Sequence, residues 1–272
     1  MKMNNIYFKT FFLLLLIYVV ITVVIYFYQR KLLYHPFSGQ VTGEGLIHNF
    51  ETISFNTSDN LKLKGWFHLK NSNKKTIFFL HGNAGNLDNR IDKLNSLGNM
   101  DVNFLIIAWR GYSGNPGKPS EEGLYKDALG GIKWLNGKGI SNDQIILYGE
   151  SLGTAVATEV GQNDNFAGII LESPFTSMVD MGQKIYPIFP VNFLLKDKYE
   201  TKKKIHNIKF PILIMHGKKD KIVPFYMGEK IYSLANEKKS KYFTENDNHM
   251  MEFDIVLNNA IKDFLKSLTN YF

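Results

Sequence analysis

A serine between two glycines is the residue of this chain with the clearest capacity for chemistry. It lies in the pentapeptide Gly149-Glu150-Ser151-Leu152-Gly153, which matches the G-x-S-x-G pattern of a nucleophile elbow. Such a turn lifts the serine hydroxyl above a sheet, and small residues let a strand and a helix pass closely. The alternative is an ordinary strand-to-helix turn. Because an apolar run precedes the pentapeptide and a helical pattern follows it, the sequence predicts Ser151 as a nucleophile.

A serine hydroxyl needs a base that is oriented by an acid before it can attack an acyl carbon. In folds with this elbow, the chain order is serine, acid, histidine. Asp220 follows an apolar run at 211–215, where ligands meet a parallel sheet. His249 follows the run 241–244 and precedes the last helical pattern. The order predicts a triad of Ser151, Asp220 and His249.

Other histidines and acids fit this order less well. His81 and His216 both precede Asp220 in the chain. We expect His81 to be structural and His216 to orient or pack against neighbouring groups. Asp247 is the rival acid, but its position two residues before His249 suits a loop surface better.

An oxyanion hole needs two backbone N–H groups directed at the developing negative charge. One is expected from Leu152, directly after the nucleophile. The other is expected from the glycine-containing loop 81–86, at Asn83. Such a loop could instead hold phosphate, but it lacks the G-x-x-x-x-G-K-[ST] arrangement of nucleotide sites.

The rest of the chain must supply the elements that position these residues. Two alternating segments predict a hairpin, Glu51–Asn56 and Leu61–Leu69. Short apolar runs predict buried parallel strands, at Thr76–Leu80, Val102–Ala108, Gln144–Tyr148, Phe166–Leu171 and Pro211–Met215, with a last strand at Lys241–Thr244. Helical patterns separate them, notably Ser120–Asn136, Ser151–Gln162, Phe225–Ala235 and about Phe253–Leu268. Alternation of this kind predicts an α/β sheet with crossover helices.

The amino-terminal segment carries no charge from Thr10 to Tyr28. About 20 apolar residues suffice to cross a bilayer, so we predict a transmembrane helix at about residues 8–28. It would belong to a membrane anchor at 1–31, followed by a catalytic domain at 32–272. A cleaved signal peptide and a buried core helix are the alternatives, but no small-residue cleavage site follows. Lysines or arginines flank both ends, which leaves the orientation open.

Composition excludes several classes of protein. The chain has no cysteine, so disulfides and thiolate chemistry are excluded. Its net charge is 32 − 25 = +7, which suits anionic lipid headgroups as well as nucleic acid. The lysines are scattered, apart from one cluster at 202–204, and no nucleic-acid-binding motif is present. We therefore expect no nucleic-acid partner.

Several motifs together resemble one family. The chain is similar to the BEM46-like, ABHD13-type and ABHD17-type serine hydrolases of the α/β-hydrolase superfamily. The resemblance rests on residues 29–36, 81–86, 110–114, 117–123, 149–153, 172–177 and 216–224. It implies a mostly parallel eight-stranded sheet with helices on both faces, the same triad, a short lid and an amino-terminal membrane anchor. One departure is Asn248 before His249, with two methionines after it, where relatives often carry glycine and Asn-Asp.

The lid position of the family corresponds to about residues 174–210. Within it, the stretch 185–195 is unusually apolar for a surface loop. One interpretation is a helix pair packed on the core. The other is a hydrophobic acyl pocket that faces the bilayer, with Ile185, Phe189 and Phe193 as substrate-binding residues.

These patterns predict a membrane-anchored, single-pass serine hydrolase. It would cleave an ester or thioester through an acyl-serine intermediate, without a metal or cofactor. The partners expected are a small or lipid-like acyl substrate and, through the amino-terminal helix, membrane lipid; the oligomeric state stays open. A serine peptidase resembling aminopeptidases is the alternative within enzymes. A non-catalytic, membrane-tethered binding or scaffold protein is the alternative of another class.

Overall fold

The computed structural model describes residues 2–268, with side chains from Ile6 onward. Its strands are β1 (His35–Pro36), β2 (Glu51–Asn56), β3 (Lys62–His68), β4 (Thr76–Leu80), β5 (Ala84–Gly85), β6 (Asn103–Ile107), β7 (Ile145–Glu150), β8 (Gly168–Glu172), β9 (Ile212–Gly217) and β10 (Lys239–Thr244). Its α-helices are α1 (Lys2–Leu33), α2 (Ile91–Gly98), α3 (Glu121–Gly137), α4 (Leu152–Gly161), α5 (Met178–Ile185), α6 (Val191–Leu194), α7 (Thr201–Lys204), α8 (Phe225–Leu234) and α9 (Ile255–Ser267).

Eight of these strands form one sheet in the order β10-β9-β8-β7-β4-β6-β3-β2. From β10 to β6 every neighbouring pair is parallel, whereas β3 pairs antiparallel with both β6 and β2. The predicted hairpin and the mostly parallel eight-stranded sheet are therefore confirmed. The short strands β1 and β5, which form a separate parallel pair, were not predicted because two residues leave no periodic pattern.

Burial explains the strand patterns. Strands β4, β6, β7, β8 and β9 are buried along their whole length, as expected for parallel strands covered on both faces. Strand β2 at the sheet edge alternates buried Ile53 and Phe55 with exposed residues, which matches a strand covered on one face.

Helices cover both faces of the sheet. On one face, helices α3, α4 and α8 bury apolar residues such as Leu124, Val156 and Ile231. On the other, α2 and α9 bury residues such as Leu94 and Ile261. Helix α3 starts where the sequence predicts, because the Ser120 side chain accepts a 3.1 Å hydrogen bond from the Gly123 N–H.

Helix α1 is longer than the predicted transmembrane segment. It runs without interruption to Leu33 and is apolar and largely exposed; among the described residues, the stretch Ile6–Leu33 is long and apolar enough to cross a membrane. A membrane anchor and a signal sequence can both have this length and composition. A buried core helix can have the same length and composition, but none of the most apolar window of α1 is buried. The core-helix alternative is therefore wrong.

Candidate active site

The turn that carries Ser151 joins strand β7 to helix α4. Ser151 has a φ of 51° and a ψ of −113°, a strained conformation for a residue with a side chain. A Cβ on Gly153 would lie 1.9 Å from the Leu80 carbonyl oxygen, and a Cβ on Gly149 would lie 2.6 Å from the Gly153 oxygen. Only glycine fits at these two positions, so helix α4 can start close above the sheet with Ser151 at the turn.

The turn after β7 and the loops after β9 and β10 bring the predicted triad residues together at the carboxyl ends of these strands. His249, in the loop after β10, places its Nε2 atom 2.9 Å from the Ser151 hydroxyl oxygen. Its Nδ1 atom lies 2.8 Å from Oδ2 of Asp220, in the loop after β9. In the tautomer that satisfies both contacts, Nδ1–H donates to the carboxylate and Nε2 accepts the serine proton. The geometry is that required of a nucleophile, its base and an orienting acid.

Asp220 is held by several donors. Its Oδ1 atom accepts hydrogen bonds of 2.8 Å from the backbone N–H groups of both Ile222 and Val223. Burial alone would raise the pKa of the Asp220 carboxyl, but hydrogen bonds to His216, His249 and the backbone hold this pKa well below its usual range. Asp220 is therefore an anion at neutral pH. Asp247, the rival acid, instead accepts a 2.9 Å hydrogen bond from the Thr244 hydroxyl.

A second histidine shares the same acid. Nε2 of His216 lies 3.1 Å from both Asp220 Oδ2 and the Val223 carbonyl oxygen. The ring is fully buried, and a Cβ on Gly228 would lie 2.3 Å from its Nδ1 atom. This placement fits the orienting or packing role expected for His216, because its N–H can donate to both oxygens while the ring fills the space beside helix α8.

The two predicted oxyanion residues lie beside Ser151, and both line the same cavity. Leu152 is the first residue of helix α4, where a backbone N–H has no partner within the helix. The Asn83 side chain donates a 2.5 Å hydrogen bond to the Leu33 carbonyl oxygen, and the Tyr112 hydroxyl donates to the Asn83 carbonyl oxygen at 2.7 Å. The loop that carries Asn83 is thus fixed from two sides.

His81 has the structural role that was expected. It is fully buried, and its Nδ1 atom lies 2.7 Å from the Gly82 carbonyl oxygen. Burial, with a contribution from the positive charge of Arg90, lowers the pKa of His81 to about 3. The imidazole is therefore neutral and braces the glycine loop.

A buried group of charges beneath the site was not predicted from the sequence. Glu150 accepts hydrogen bonds of 2.7 Å from both Arg90 and Lys93, and Lys93 also lies 2.6 Å from Glu172. All four side chains are nearly or completely buried. Burial alone would raise the pKa of Glu150, but Lys93 and Arg90 hold this pKa well below its usual range. The pattern of one acid inside the elbow and another at a strand end was the only hint available.

These buried charges also fix the loops around Ser151. The Gly82 N–H donates a 3.1 Å hydrogen bond to Glu150, and the Met251 N–H donates a 3.3 Å hydrogen bond to Glu172. The glycine loop, the nucleophile turn and the histidine loop are thereby joined to one ionic group, which we call the buried charge cluster (Arg90, Lys93, Glu150 and Glu172).

A cavity of about 620 Å³ opens above Ser151 and His249. Its walls are mostly apolar and include Ile185 and Phe189, two of the three predicted substrate-binding residues. The prediction for Phe193 is wrong: this residue does not line the cavity, and 84% of its surface is exposed. The short helix α6 buries Val191 and leaves Phe193 facing outward.

The cavity is not built by the predicted catalytic domain alone. Ile25 and Gln29, which fall in the predicted anchor, line it together with the lid. The predicted boundary at residue 31 thus falls inside a continuous helix that contributes to the site. Within residues 2–268, no group of three or more His, Cys, Asp or Glu side chains is arranged to hold a metal ion.

Comparisons with known proteins agree with the fold. Residues 118–269 match the model of the prolyl oligopeptidase family. An uncharacterised protein of Mycobacterium tuberculosis is 33% identical over 245 residues, which cover 87% of each chain. The α/β hydrolase domain-containing protein WAV2 of Arabidopsis thaliana is 30% identical over 232 residues, covering 76% of this chain and 75% of that protein.

Two further proteins are similar in part or in fold. The lysophosphatidylserine lipase ABHD12 of Rattus norvegicus is 31% identical over 189 residues, which are 62% of this chain and 47% of the lipase. The structure of the Pyrococcus furiosus esterase Pf2001 superposes with a TM-score of 0.69 at 20% identity, covering 86% of this chain and 98% of the esterase. The likeness to the esterase establishes the fold alone.

The family match extends over more than half of the chain, and the sequence relatives cover most of it. The narrower resemblance to BEM46-like hydrolases stays a prediction. The chain belongs to the prolyl oligopeptidase family, within the α/β-hydrolase superfamily.

Proposed function

We propose that this protein is a serine hydrolase that cleaves an acyl ester or thioester, with Ser151 as nucleophile, His249 as general base and Asp220 as the orienting acid. The observation that carries the proposal is the continuous contact from Ser151 through His249 to Asp220, with distances of 2.9 and 2.8 Å. Those contacts span 98 and 29 positions of the chain (249 − 151 and 249 − 220). A protein with only a binding role would have no need of them.

The chemistry follows from the geometry. The Ser151 oxygen attacks the substrate carbonyl carbon while Nε2 of His249 takes the hydroxyl proton. The carbonyl oxygen becomes negative and receives hydrogen bonds from the Leu152 N–H and from the loop at Asn83. The bond to the leaving group breaks as His249 returns the proton to it, and an acyl-serine remains. Water, deprotonated by His249, then releases the acid and restores Ser151.

The cavity favours an apolar acyl group over a peptide. A peptide would need polar partners for its backbone, and usually a charged group to hold a terminus. The charged lining residues Arg90 and Glu150 already bind each other. The names of similar proteins, a lysophosphatidylserine lipase and an esterase, support an ester substrate. The name of the family supports the peptidase alternative. Because the cavity walls are mostly apolar, we place this alternative second.

We propose further that helix α1 anchors the protein in a membrane. Its length, composition and exposure support this role. A cleaved signal peptide is difficult to reconcile with the contacts of Gln29 and Arg30 to the lid, at 3.0 and 2.7 Å, because cleavage would remove a wall of the cavity.

Labelling with a fluorophosphonate probe tests the catalytic proposal. The probe reacts with an activated serine and requires no knowledge of the substrate. We expect the full-length protein to be labelled and Ser151→Ala to be unlabelled. Ser233→Ala, which removes an exposed serine of helix α8, is the matched control and should label normally. Undiminished labelling of Ser151→Ala would refute the assignment.

A further inference from the structure

Two polar side chains of helix α1, Tyr18 and Gln29, have partners within or directly beside residues 185–195 of the lid. The Tyr18 hydroxyl donates a 3.0 Å hydrogen bond to the Ile188 carbonyl oxygen. Gln29 Nε2 donates a 3.0 Å hydrogen bond to the Leu194 carbonyl oxygen, and Gln29 Oε1 accepts a 2.7 Å hydrogen bond from the Lys196 N–H. The rings of Tyr18 and Phe189 also stack, with centroids 5.5 Å apart and planes 9° from parallel. The lid segment, defined as residues 185–195, therefore lies along the helix.

The covered residues of α1 form one stripe. Between residues 18 and 33, those that are partly or fully buried recur every three or four positions, at Tyr18, Thr22, Ile25, Gln29 and Leu33. This spacing places them on one helix face. Gln29 is the most covered, with 8% of its surface exposed. The remaining faces of the helix stay open to the surroundings.

The backbone of the lid segment has internal partners for most of its polar groups. Pro187 and Pro190 have no N–H to satisfy. The Pro187 carbonyl oxygen accepts a 3.1 Å hydrogen bond from the Gln183 side chain. Other N–H groups donate to carbonyl oxygens of residues 182–191; these donors are Tyr186, Phe189, Val191, Phe193, Leu194 and Leu195. Irregular backbone in a hydrocarbon environment requires this kind of internal pairing.

The position of Tyr18 along the helix fixes the depth of the lid in a membrane. At about 1.5 Å per residue, Tyr18 lies about 18 Å from Ile6 and about 22 Å from Leu33. A hydrocarbon layer of about 30 Å placed anywhere within the candidate span Ile6–Leu33 therefore includes Tyr18. Phe189 stacks on Tyr18, and the Ile188 carbonyl oxygen accepts a hydrogen bond from the Tyr18 hydroxyl. Ile188 and Phe189 of the lid segment therefore lie at the same depth as Tyr18.

The outward side chains of the lid segment suit that environment. Ile188 and Phe193 are 72% and 84% exposed, and Ile185 and Tyr186 are also more than a third exposed, so this short segment presents several large apolar side chains to its surroundings. The segment has no charged residue, but Lys184 and Lys196 stand directly at its two ends. Nζ of Lys196 lies 4.2 Å from the centre of the Tyr26 ring. Lysines and aromatic rings at the borders of an apolar segment are typical of residues at the membrane surface.

We propose that the lid segment is inserted in the hydrocarbon of the bilayer, fastened to helix α1 by Tyr18 and Gln29. This inference rests on the proposed membrane anchor and deepens the proposed function. Lid residues Ile185 and Phe189 and helix residues Ile25 and Leu32 line the cavity above Ser151. The acyl chain of the substrate therefore enters from the bilayer between helix and lid. The substrate class is an acyl lipid or lipidated molecule that resides in the membrane, whose scissile bond is drawn toward Ser151.

The absence of cysteine makes the depth of the lid directly measurable. Single cysteines are introduced as Ile188→Cys and Phe193→Cys in the full-length protein, with Leu129→Cys as control. Leu129 is an apolar residue of helix α3 and is 53% exposed. Each cysteine is labelled with an environment-sensitive fluorophore, and the protein is reconstituted in vesicles of phosphatidylcholine and phosphatidylglycerol. Quenching is compared between phospholipids with a nitroxide in the acyl chain and aqueous iodide.

We expect the probes at positions 188 and 193 to emit at shorter wavelength and to lose fluorescence to the nitroxide lipid but not to iodide. The probe at 129 should show the reverse. Iodide quenching at all three positions would overturn the insertion. Hydrolysis of a soluble short-chain ester by the same samples, with Ser151→Ala as reference, separates the two proposals. If iodide quenches the probes at positions 188 and 193 but hydrolysis still depends on Ser151, only the insertion is overturned. If the nitroxide lipid quenches these probes but no Ser151-dependent hydrolysis is found, only the catalytic proposal is overturned.

Discussion

Arg30, close to the end of helix α1, forms a two-pronged ion pair with Asp197 of the lid region: Nε to Oδ2 at 2.7 Å and Nη2 to Oδ1 at 2.9 Å. Asp197 is almost fully buried and also accepts a 3.1 Å hydrogen bond from the Glu121 N–H, at the start of helix α3. The pair joins the proposed anchor to the catalytic domain, so the two are coupled in stability.

We therefore predict that Arg30→Ala destabilises the protein. Loss of the guanidinium leaves the buried Asp197 carboxylate with fewer partners, but half of the Arg30 side chain is open to solvent, which reduces the effect to about 1–2 kcal/mol. The neighbouring Lys31→Ala should change the free energy of unfolding by less than about 0.5 kcal/mol. Urea unfolding in detergent micelles measures both. Equal effects of the two substitutions would show that the ion pair has no special role.

Breaking the buried charge cluster should be more severe. Lys93→Met leaves Glu150 and Glu172 without their shared cation, and removal of one partner from a buried ion pair costs about 3–5 kcal/mol. Lys133→Met, at an exposed position of helix α3, provides the control and should be close to neutral. The same cluster holds the loops around Ser151, so Lys93→Met should also reduce kcat at temperatures where the variant remains folded. Thermal unfolding and ester hydrolysis test the two expectations; a stable and fully active Lys93→Met would contradict them.

The decrease of the free energy of unfolding at low pH should depend on Asp220. Its pKa is lower in the folded protein than in the unfolded chain, where it is about 3.9. The carboxylate thus contributes stability that is fully present above the unfolded pKa and is lost as pH falls through the folded pKa. Asp220→Asn removes this contribution and should flatten the decline of the free energy of unfolding below about pH 4. Urea titrations at several pH values measure the slope, and an equally steep decline in Asp220→Asn would contradict this expectation.

The same substitution should greatly reduce catalysis. In a well-studied serine protease, replacement of the triad aspartate by asparagine lowers kcat by about 10⁴, because the histidine adopts the wrong tautomer. We expect a loss of similar order for Asp220→Asn with a p-nitrophenyl ester. A retained kcat would show that His249 is oriented by another group.

Phe189 and Phe193 form a matched pair for testing the acyl site. Each buried CH₂ contributes about 0.8 kcal/mol, or about a fourfold preference per methylene. Phe189→Ser polarises the cavity wall and should weaken the rise of kcat/KM from acetate to octanoate p-nitrophenyl esters. Phe193→Ser lies outside the cavity and should leave the chain-length profile of these soluble esters unaltered. Aminoacyl nitroanilides assayed in parallel test the peptidase alternative, which would gain support if they were cleaved faster than every ester.

Local patterns in the sequence determined the main elements and the order of the candidate catalytic residues. Strands such as Thr76–Leu80 follow from short continuous apolar runs, and helices such as α3 follow from capping and helical periodicity; these signals act over a few residues. Because parallel strands end at one edge of the sheet, residues after β9 and β10 had to approach the turn after β7. Asp220 and His249 could therefore be selected from their positions alone, whatever the details of packing.

Tertiary structure alone decided the features that depend on contacts between distant segments. The pairing of Lys93 with both Glu150 and Glu172 spans three elements, and no local pattern indicates it. The outward orientation of Phe193 depends on which face of the short helix α6 packs, and four residues are too few to show a periodicity. Helix α1 became a wall of the cavity because Tyr18 and Gln29 found backbone partners about 170 residues away. The sequence of helix α1 alone predicts only an anchor. The packing of this helix against the lid makes it part of the candidate site.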